Sequence, residues 1–581
     1  MARLFLLLLA LDVLPAVRAA AEQPVSGGVM PLAELQAGQK GEVWTVFRGT
    51  KPEPFAVEVT GVVRNALGPG KSLILCRLTD PRVQNMGAVA GMSGSPLYIG
   101  GKFAGALSYQ IQRFETVRYA GFTPAADLVE VQQRAEASQL PSPPTATASL
   151  ESFQPLRPVF TVSGLSPAVA ELFAPQFAAL GLSASALGGS DNGSLNSQPS
   201  TLDSQPLRPG AAVSVALATG DITIAGTGTV SRIDGDHLTA FGHPMMSLGE
   251  VALPMCSAEI VTILPSSMQS IKVANTGRII GTITQDRLSA VSGTLGAGPE
   301  MTAVEVIVAR AHGAPRTLHF SVARQQQLTP MLVAAGVTQA ILGSSDAGLS
   351  NGFLLRSDVT FPAKQTLATR ALYAGPQGFQ QGLGDFVKGL AQDLQNPYEK
   401  AFPHRVVFTV EPLEQNPAVT LDLFQLSRTS ARAGDTVQAT VSWRDYQGGA
   451  HRQVIGIPID AAWTGKTLQV VLVPGQVLDE LSGRPRLVAA AQLRSFDAYL
   501  AAQRDSRADD GLFLAVVEKT RFFTDETVAV PDAPGSIERI AQAADEARFQ
   551  RRDALLPLWE QHILDGKLSD VTLRRTLQIT D

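Results

Sequence analysis

Cysteine is nearly absent: the 581 residues contain two, Cys76 and Cys256. Neither belongs to a CxxC or Cys/His ligand pattern, which argues against a structural zinc site. Both sit in apolar surroundings, LILCRL and LPMCSA. The sequence therefore leaves two states open, a bridge in an oxidising compartment or two separate buried thiols. Charge is also sparse. There are 47 Lys and Arg against 52 Asp and Glu, a formal net charge of -5, with no run of five like charges. That balance argues against nucleic acid as the main partner and against a polyionic tail. After the N-terminus no stretch reaches the roughly eighteen unbroken apolar residues of a bilayer span. The mature chain is expected to have no transmembrane segment.

What is present points to a large β-rich protein. At 45% apolar and 17% charged residues the chain is globular, and its length suggests about three or four domains. The 52 Gly and 37 Pro suit many short strands joined by turns. The first residues, MARLFLLLLALDVLPAVRAA, have a secretory form: Arg3, an apolar run from Phe5 to Ala10 extended to Val17, then small residues Ala19 to Ala21. Residues 1–21 are read as a signal peptide, and the protein as exported, periplasmic or extracellular.

Segments 22–137 and 210–325 are the two β-rich units. In the first, VWTVF, FAVEVTGVV and KSLILCRL are strand runs, and PLYIGGKFAGALSY is a hairpin turning at Gly100-Gly101. The second holds AAVSVALATG, ITIAGTGTVSRI, HLTAFG, RIIGTITQ and TAVEVIVARA. Residues 138–209 join them through a Pro/Ser/Thr linker, a helix opened by Ser166-Pro167, and a Ser/Gly/Asn-rich loop. Residues 326–403 read as mixed α/β. Short strands over 404–480 suggest an immunoglobulin-like sandwich, and 481–581 reads as an extension ending in a charged helical tail.

Two segments have the residue types of nucleophilic catalysis. Gly91-Met92-Ser93-Gly94-Ser95-Pro96 is a turn in which main-chain N–H groups of Gly91 and Ser93 can line an oxyanion pocket beside the Ser93 hydroxyl. Ser95 reads as a support of the turn. Ala240-Phe241-Gly242-His243-Pro244 places one of seven histidines directly after a strand, where it can act as general base. Each segment also has a plain reading, a Gly/Ser/Pro turn and a loop histidine.

The string GMSGSPLYIGGKFAGALSY, with LTDPRVQNMGAVA before it, resembles the serine half of the SpoIVB peptidase family, serine endopeptidases of the trypsin-like superfamily. AFGHPMMSLGEVALPM, followed by GRIIGTITQDRLSAVSGTLG, resembles its histidine half. The resemblance implies a double β-barrel peptidase core with Ser93 as nucleophile, His243 as base and Asp80 as the acid orienting the imidazole. Asp234 and Asp236, shortly before His243, are rival orienters. Here the halves stand in reversed chain order; a triad depends on geometry, not order. The expected activity is hydrolysis of polypeptides through an acyl-enzyme, with no metal or cofactor, and with an envelope partner for the C-terminal sandwich. The alternative is a catalytically inactive binding or scaffold protein of the cell envelope on the same fold.

Overall fold

The computed structural model describes residues 28–111, 117–136, 153–156, 159–179, 184–185, 189–190, 206–266, 270–310, 313–342, 351–482, 495–508, 510–524, 529–531, 534–536, 539 and 550–581. The expected signal peptide lies outside them, as does most of the Pro/Ser/Thr linker.

The described chain is mainly β. Strands β1 (Lys40–Thr45), β2 (Glu53–Val63), β3 (Leu73–Leu78), β4 (Pro96–Ile99), β5 (Lys102–Ile111) and β6 (Tyr119–Pro124) pair in the order β4-β1-β2-β3-β6-β5. A β4–β5 pairing closes the ring. Its interior is apolar, with Val43, Phe55, Val57, Ile74, Cys76, Leu97, Leu107 and Phe122 buried together. Helix α1 (Pro81–Met86) follows β3, and α2 (Ala125–Glu136) leaves β6. A three-residue strand, β7 (Phe153–Pro155), lies on the outer edge of β5.

Next come β8 (Val159–Ser163), α3 (Pro167–Ala179), and two short strands, β9 (Ala184–Ser185) and β10 (Gly189–Ser190). A second ring is built from β11 (Ala212–Gly220), β12 (Thr223–Asp234), β13 (His237–Ala240), β14 (Gly249–Leu264), β15 (Ile271–Arg287) and β16 (Ala290–Leu295). Its order is β11-β14-β15-β16-β13-β12, closed by a β11–β12 pairing. The β14–β15 hairpin is far longer than the usual strand pair, and its distal end reaches the first ring. Ile260 bridges to Gly49, and Ile271 bridges to Ala90. The two rings are thereby joined by main-chain pairing.

The second sheet continues through β17 (Met301–Val308) and β18 (Arg316–Ala323) to β19 (Gly352–Thr360), β20 (Leu367–Ala374) and β21 (Arg405–Pro412). Helix α4 (Leu328–Leu342) packs against it and is buried from Leu328 to Ile341, which fits a sequence apolar all round.

Two expectations change at the C-terminus. The strand Arg405–Pro412 does not start the sandwich; it pairs with β17 and β19. One sandwich sheet is Val419–Leu426, Thr436–Asp445 and Ala450–Pro458. The facing sheet takes Thr467–Val473 together with Leu512–Thr524, Gln550–Ile563 and Leu573–Thr580 from the tail. Phe424, Val441, Ile457, Leu468, Val516 and Leu577 share the core between them. The helical tail is therefore corrected: Gln550–Ile563 is a strand, antiparallel to Leu512–Thr524 along its length. Helix-favouring residues there yield to tertiary pairing. Pro557, which would break a helix, sits at the register shift opposite Val516 and Val517, where a sheet tolerates it.

Candidate active site

The serine loop runs from the end of α1 to β4. It turns sharply at Gly91 and Gly94, with φ of 95° and 94°. Ser95 closes the turn: its N–H and its hydroxyl both donate to the Met92 carbonyl, at 3.0 and 2.6 Å. Gly94 N–H donates to Leu107 O of β5, and Leu107 N–H donates back to Ser95 O. Met92 N–H donates to Val89 O at 2.9 Å, so Met92, Gly94 and Ser95 have acceptors for their N–H groups. Among the described residues, the N–H groups of Gly91 and Ser93 have none.

The second ring grips the same loop. Thr229 N–H donates to Ser93 O at 2.8 Å, Thr229 Oγ1 to Gly91 O at 3.1 Å, and Ser231 Oγ to Gly94 O at 2.8 Å. A Cβ on Gly94 would lie 2.0 Å from Thr229 O and 2.4 Å from Phe241 N. Gly94→Ala is therefore expected to destabilise the junction by at least about 2–3 kcal/mol, from forced displacement and left-handed strain. A lowered midpoint in chemical unfolding checks this, and an unchanged midpoint would refute it.

The histidine loop leaves β13 through two left-handed residues, Phe241 (φ 70°) and Gly242 (φ 69°). For Phe241 this conformation is costly. Its buried ring fills the space over Gly228, where a Cβ would lie 2.2 Å from the ring, and its N–H reaches Thr229 O at 3.2 Å. Thr123 Oγ1 of β6 donates to Gly242 O at 2.6 Å. Beyond His243, the buried Asp286 carboxylate accepts from Met245, Met246 and Leu248 N–H at 2.7, 2.8 and 3.2 Å. Burial raises its pKa, and those N–H groups oppose the rise.

The two loops therefore adjoin at Gly94 and Phe241. Ser93 and His243 are 0% and 1% exposed. Among the described residues Ser93 Oγ and His243 Nε2 are both buried without a hydrogen-bond partner, so the two atoms are not bonded to each other. His243 Nδ1 lies 2.7 Å from Pro244 O. A carbonyl there requires the proton on Nδ1 and leaves Nε2 as an acceptor. Burial pushes the imidazole pKa down to about 4, against the opposing pull of the Pro244 and Leu156 main chain, so the ring is neutral at pH 7.

None of the acidic candidates is hydrogen-bonded to His243, whose Nδ1 faces Pro244 O. Asp80 caps α1, accepting from Arg82 N–H at 2.9 Å, and pairs with the Arg82 guanidinium at 3.0 Å. Asp234 pairs with Arg232, and Asp236 lies beside His237; their side chains are 59% and 70% exposed. Cys76 and Cys256 are separate buried thiols, each pushed up to about 12 by burial.

One segment of the chain is similar to a known sequence family. Residues 16–122 match the SpoIVB peptidase S55 family model. The matched segment contains Asp80, Gly91 and Ser93 and ends before His243. No curated protein and no solved structure matches the chain.

Sequence reasoning missed Asp286, although GTITQDR contains it, because a lone Asp in a strand run gives no sign of the loop it will hold. It also missed Lys272. The Lys272 stem packs on Gly91, and its Nζ, fully buried, donates to Thr45 Oγ1 at 2.8 Å. Burial pushes its pKa down to about 7. A depressed folded-state pKa gives stability that is full above the ordinary lysine value and is lost as pH falls towards 7. Lys272→Met removes this dependence, less about 1 kcal/mol for the lost hydrogen bond. The variant is expected to be a few kcal/mol more stable than the parent at pH 6, with the gap closing towards pH 10. Urea midpoints at the two pH values test it, and parallel midpoints would contradict it.

Proposed function

We propose that the protein is an exported serine endopeptidase of the SpoIVB type, with Ser93 as nucleophile and His243 as general base. The observation that carries this reading is the pair of orphaned atoms: a hydroxyl donor and an imidazole acceptor, both buried, on adjoining loops. A buried polar group without a partner calls for an explanation, and a catalytic role is one. The two closed rings meeting at the site fit the trypsin-like double barrel that the family implies.

In the reaction, His243 Nε2 takes the Ser93 proton as Oγ attacks a peptide carbonyl. The N–H groups of Gly91 and Ser93 receive the oxyanion. The Pro244 carbonyl holds Nδ1–H, so the imidazolium that forms keeps its orientation. His243 then protonates the leaving amine, and water releases the acyl group. The substrate class is polypeptide. The C-terminal sandwich is the part assigned, in this reading, to an envelope partner. No described helix is long and apolar enough to cross a membrane.

Because Asp80 is engaged by α1 and Arg82, the Pro244 carbonyl takes the orienting role. Asp80→Asn is then expected to keep activity on a labelled unfolded protein within about fivefold, since Asn also caps helices. Loss of about 10⁴-fold, as seen when a triad acid is replaced, would return the role to Asp80. The same assay tests the reading as a whole: hydrolysis that survives Ser93→Ala belongs to another site. The burial of Ser93 and His243 favours a second reading, an inactive binding protein; folded protein that neither cleaves nor reacts at Ser93 would establish it.

A further inference from the structure

Ser93 and His243 are buried, and one small element lies beside them. Strand β4 pairs with β5 only as far as Pro96 opposite Ala106. There the chain turns away into the serine loop, and the next stretch of β5 edge passes to β7. Phe153, Gln154 and Pro155 oppose Ile111, Gln110 and Tyr109, antiparallel, and Leu156 N–H donates to Ser108 O at 2.8 Å. The neighbouring residue of β5, Leu107, is the one that bonds Gly94 and Ser95. The segment thus runs along the edge towards the nucleophile loop. At its end Leu156 is wholly buried, in the apolar cluster that holds Val89, Met92 and Leu107. Its main chain lies against the His243 ring. Among the described residues β7 pairs only with β5, and over three residues, a short pairing for an incoming strand to replace.

We infer that the β5 edge from Ser108 to Ile111 is a docking edge for an extended polypeptide, with an apolar side chain in the Leu156 position, and that Phe153–Leu156 occupies it as a ligand in cis. Strand addition supplies affinity through the main chain, and the pocket at its end selects the side chain. An incoming polypeptide must displace the segment, and the fraction of open chain sets its apparent affinity. The docking rests on the geometry alone; the claim that the docked polypeptide is a substrate rests on the peptidase reading.

The two claims are separable in the full chain. The thiol introduced by Ser93→Cys reports access to that position whether or not catalysis occurs. With peptide mapping of the modified residue, its reaction with a maleimide is expected to accelerate at least about tenfold when Leu156→Gly is added, the usual scale for losing a buried leucine anchor. The peptide acetyl-Phe-Gln-Pro-Leu-amide, added in trans, is expected to restore protection. Equal rates with and without Leu156→Gly, or failure of the peptide to protect, would overturn the inference. Should Leu156→Gly lose its cooperative melt, Leu156→Ala replaces it with the same criteria. Access that opens while a fluorophosphonate leaves Ser93 unlabelled in Leu156→Gly would retain the docking edge and reject the peptidase reading.

Discussion

Asp286→Ala is expected to lower stability by about 3–5 kcal/mol and to reduce any activity with it. The carboxylate is buried and accepts three consecutive-loop N–H groups, from Met245, Met246 and Leu248. Removing it leaves those donors without an acceptor in the interior, at about 1–3 kcal/mol each, partly relieved by relaxation and entry of water. The buried charge itself opposes folding, since burial raises its pKa; this trims the loss but does not cancel it. The same loop fixes Pro244, whose carbonyl sets the His243 tautomer. The expected signature is a lower unfolding midpoint together with a lower kcat. Asp286→Asn restores one acceptor oxygen but turns an NH₂ group towards donors, so it should fall between parent and Ala. Full stability in Asp286→Ala would show that the loop holds itself.

The second large effect concerns the chemistry. Ser93→Ala and His243→Ala are each expected to lower kcat/KM on a peptide substrate by about 10⁴-fold or more, and the double variant by little beyond either alone, because the two act as one unit. Ser95→Ala removes a hydroxyl that donates to Met92 O inside the turn. It is expected to cost about 1 kcal/mol of stability and far less activity. Additive losses in the double variant would mean that Ser93 and His243 serve separate purposes. A larger loss from Ser95→Ala than from Ser93→Ala would move the nucleophile.

Much of the frame was legible because strand patterning is local. The hairpin at Gly100-Gly101 and the helix opened by Ser166-Pro167 appear as β4–β5 and α3. The Gly-x-Ser-Gly turn and the histidine after a strand were visible because both depend on residues adjacent in sequence. The contacts that place them were not. Thr229 gripping Ser93 O, Asp286 holding the histidine loop and Lys272 packing on Gly91 all join positions distant in sequence. Only the closed rings and the long β14–β15 hairpin bring them together. The tail was misread for a related reason: Gln550–Ile563 follows its partner strand rather than its own helix preference.

The central claim, that Ser93 and His243 form a working nucleophile and base, is tested most directly by mass-spectrometric mapping of a fluorophosphonate adduct on the full chain. Parent, Leu156→Gly, His243→Ala and Ser93→Ala would be treated side by side. The account predicts a single adduct on Ser93 in the parent, formed faster in Leu156→Gly and absent from His243→Ala and Ser93→Ala. No adduct in either the parent or Leu156→Gly, or an adduct on another residue, would contradict it.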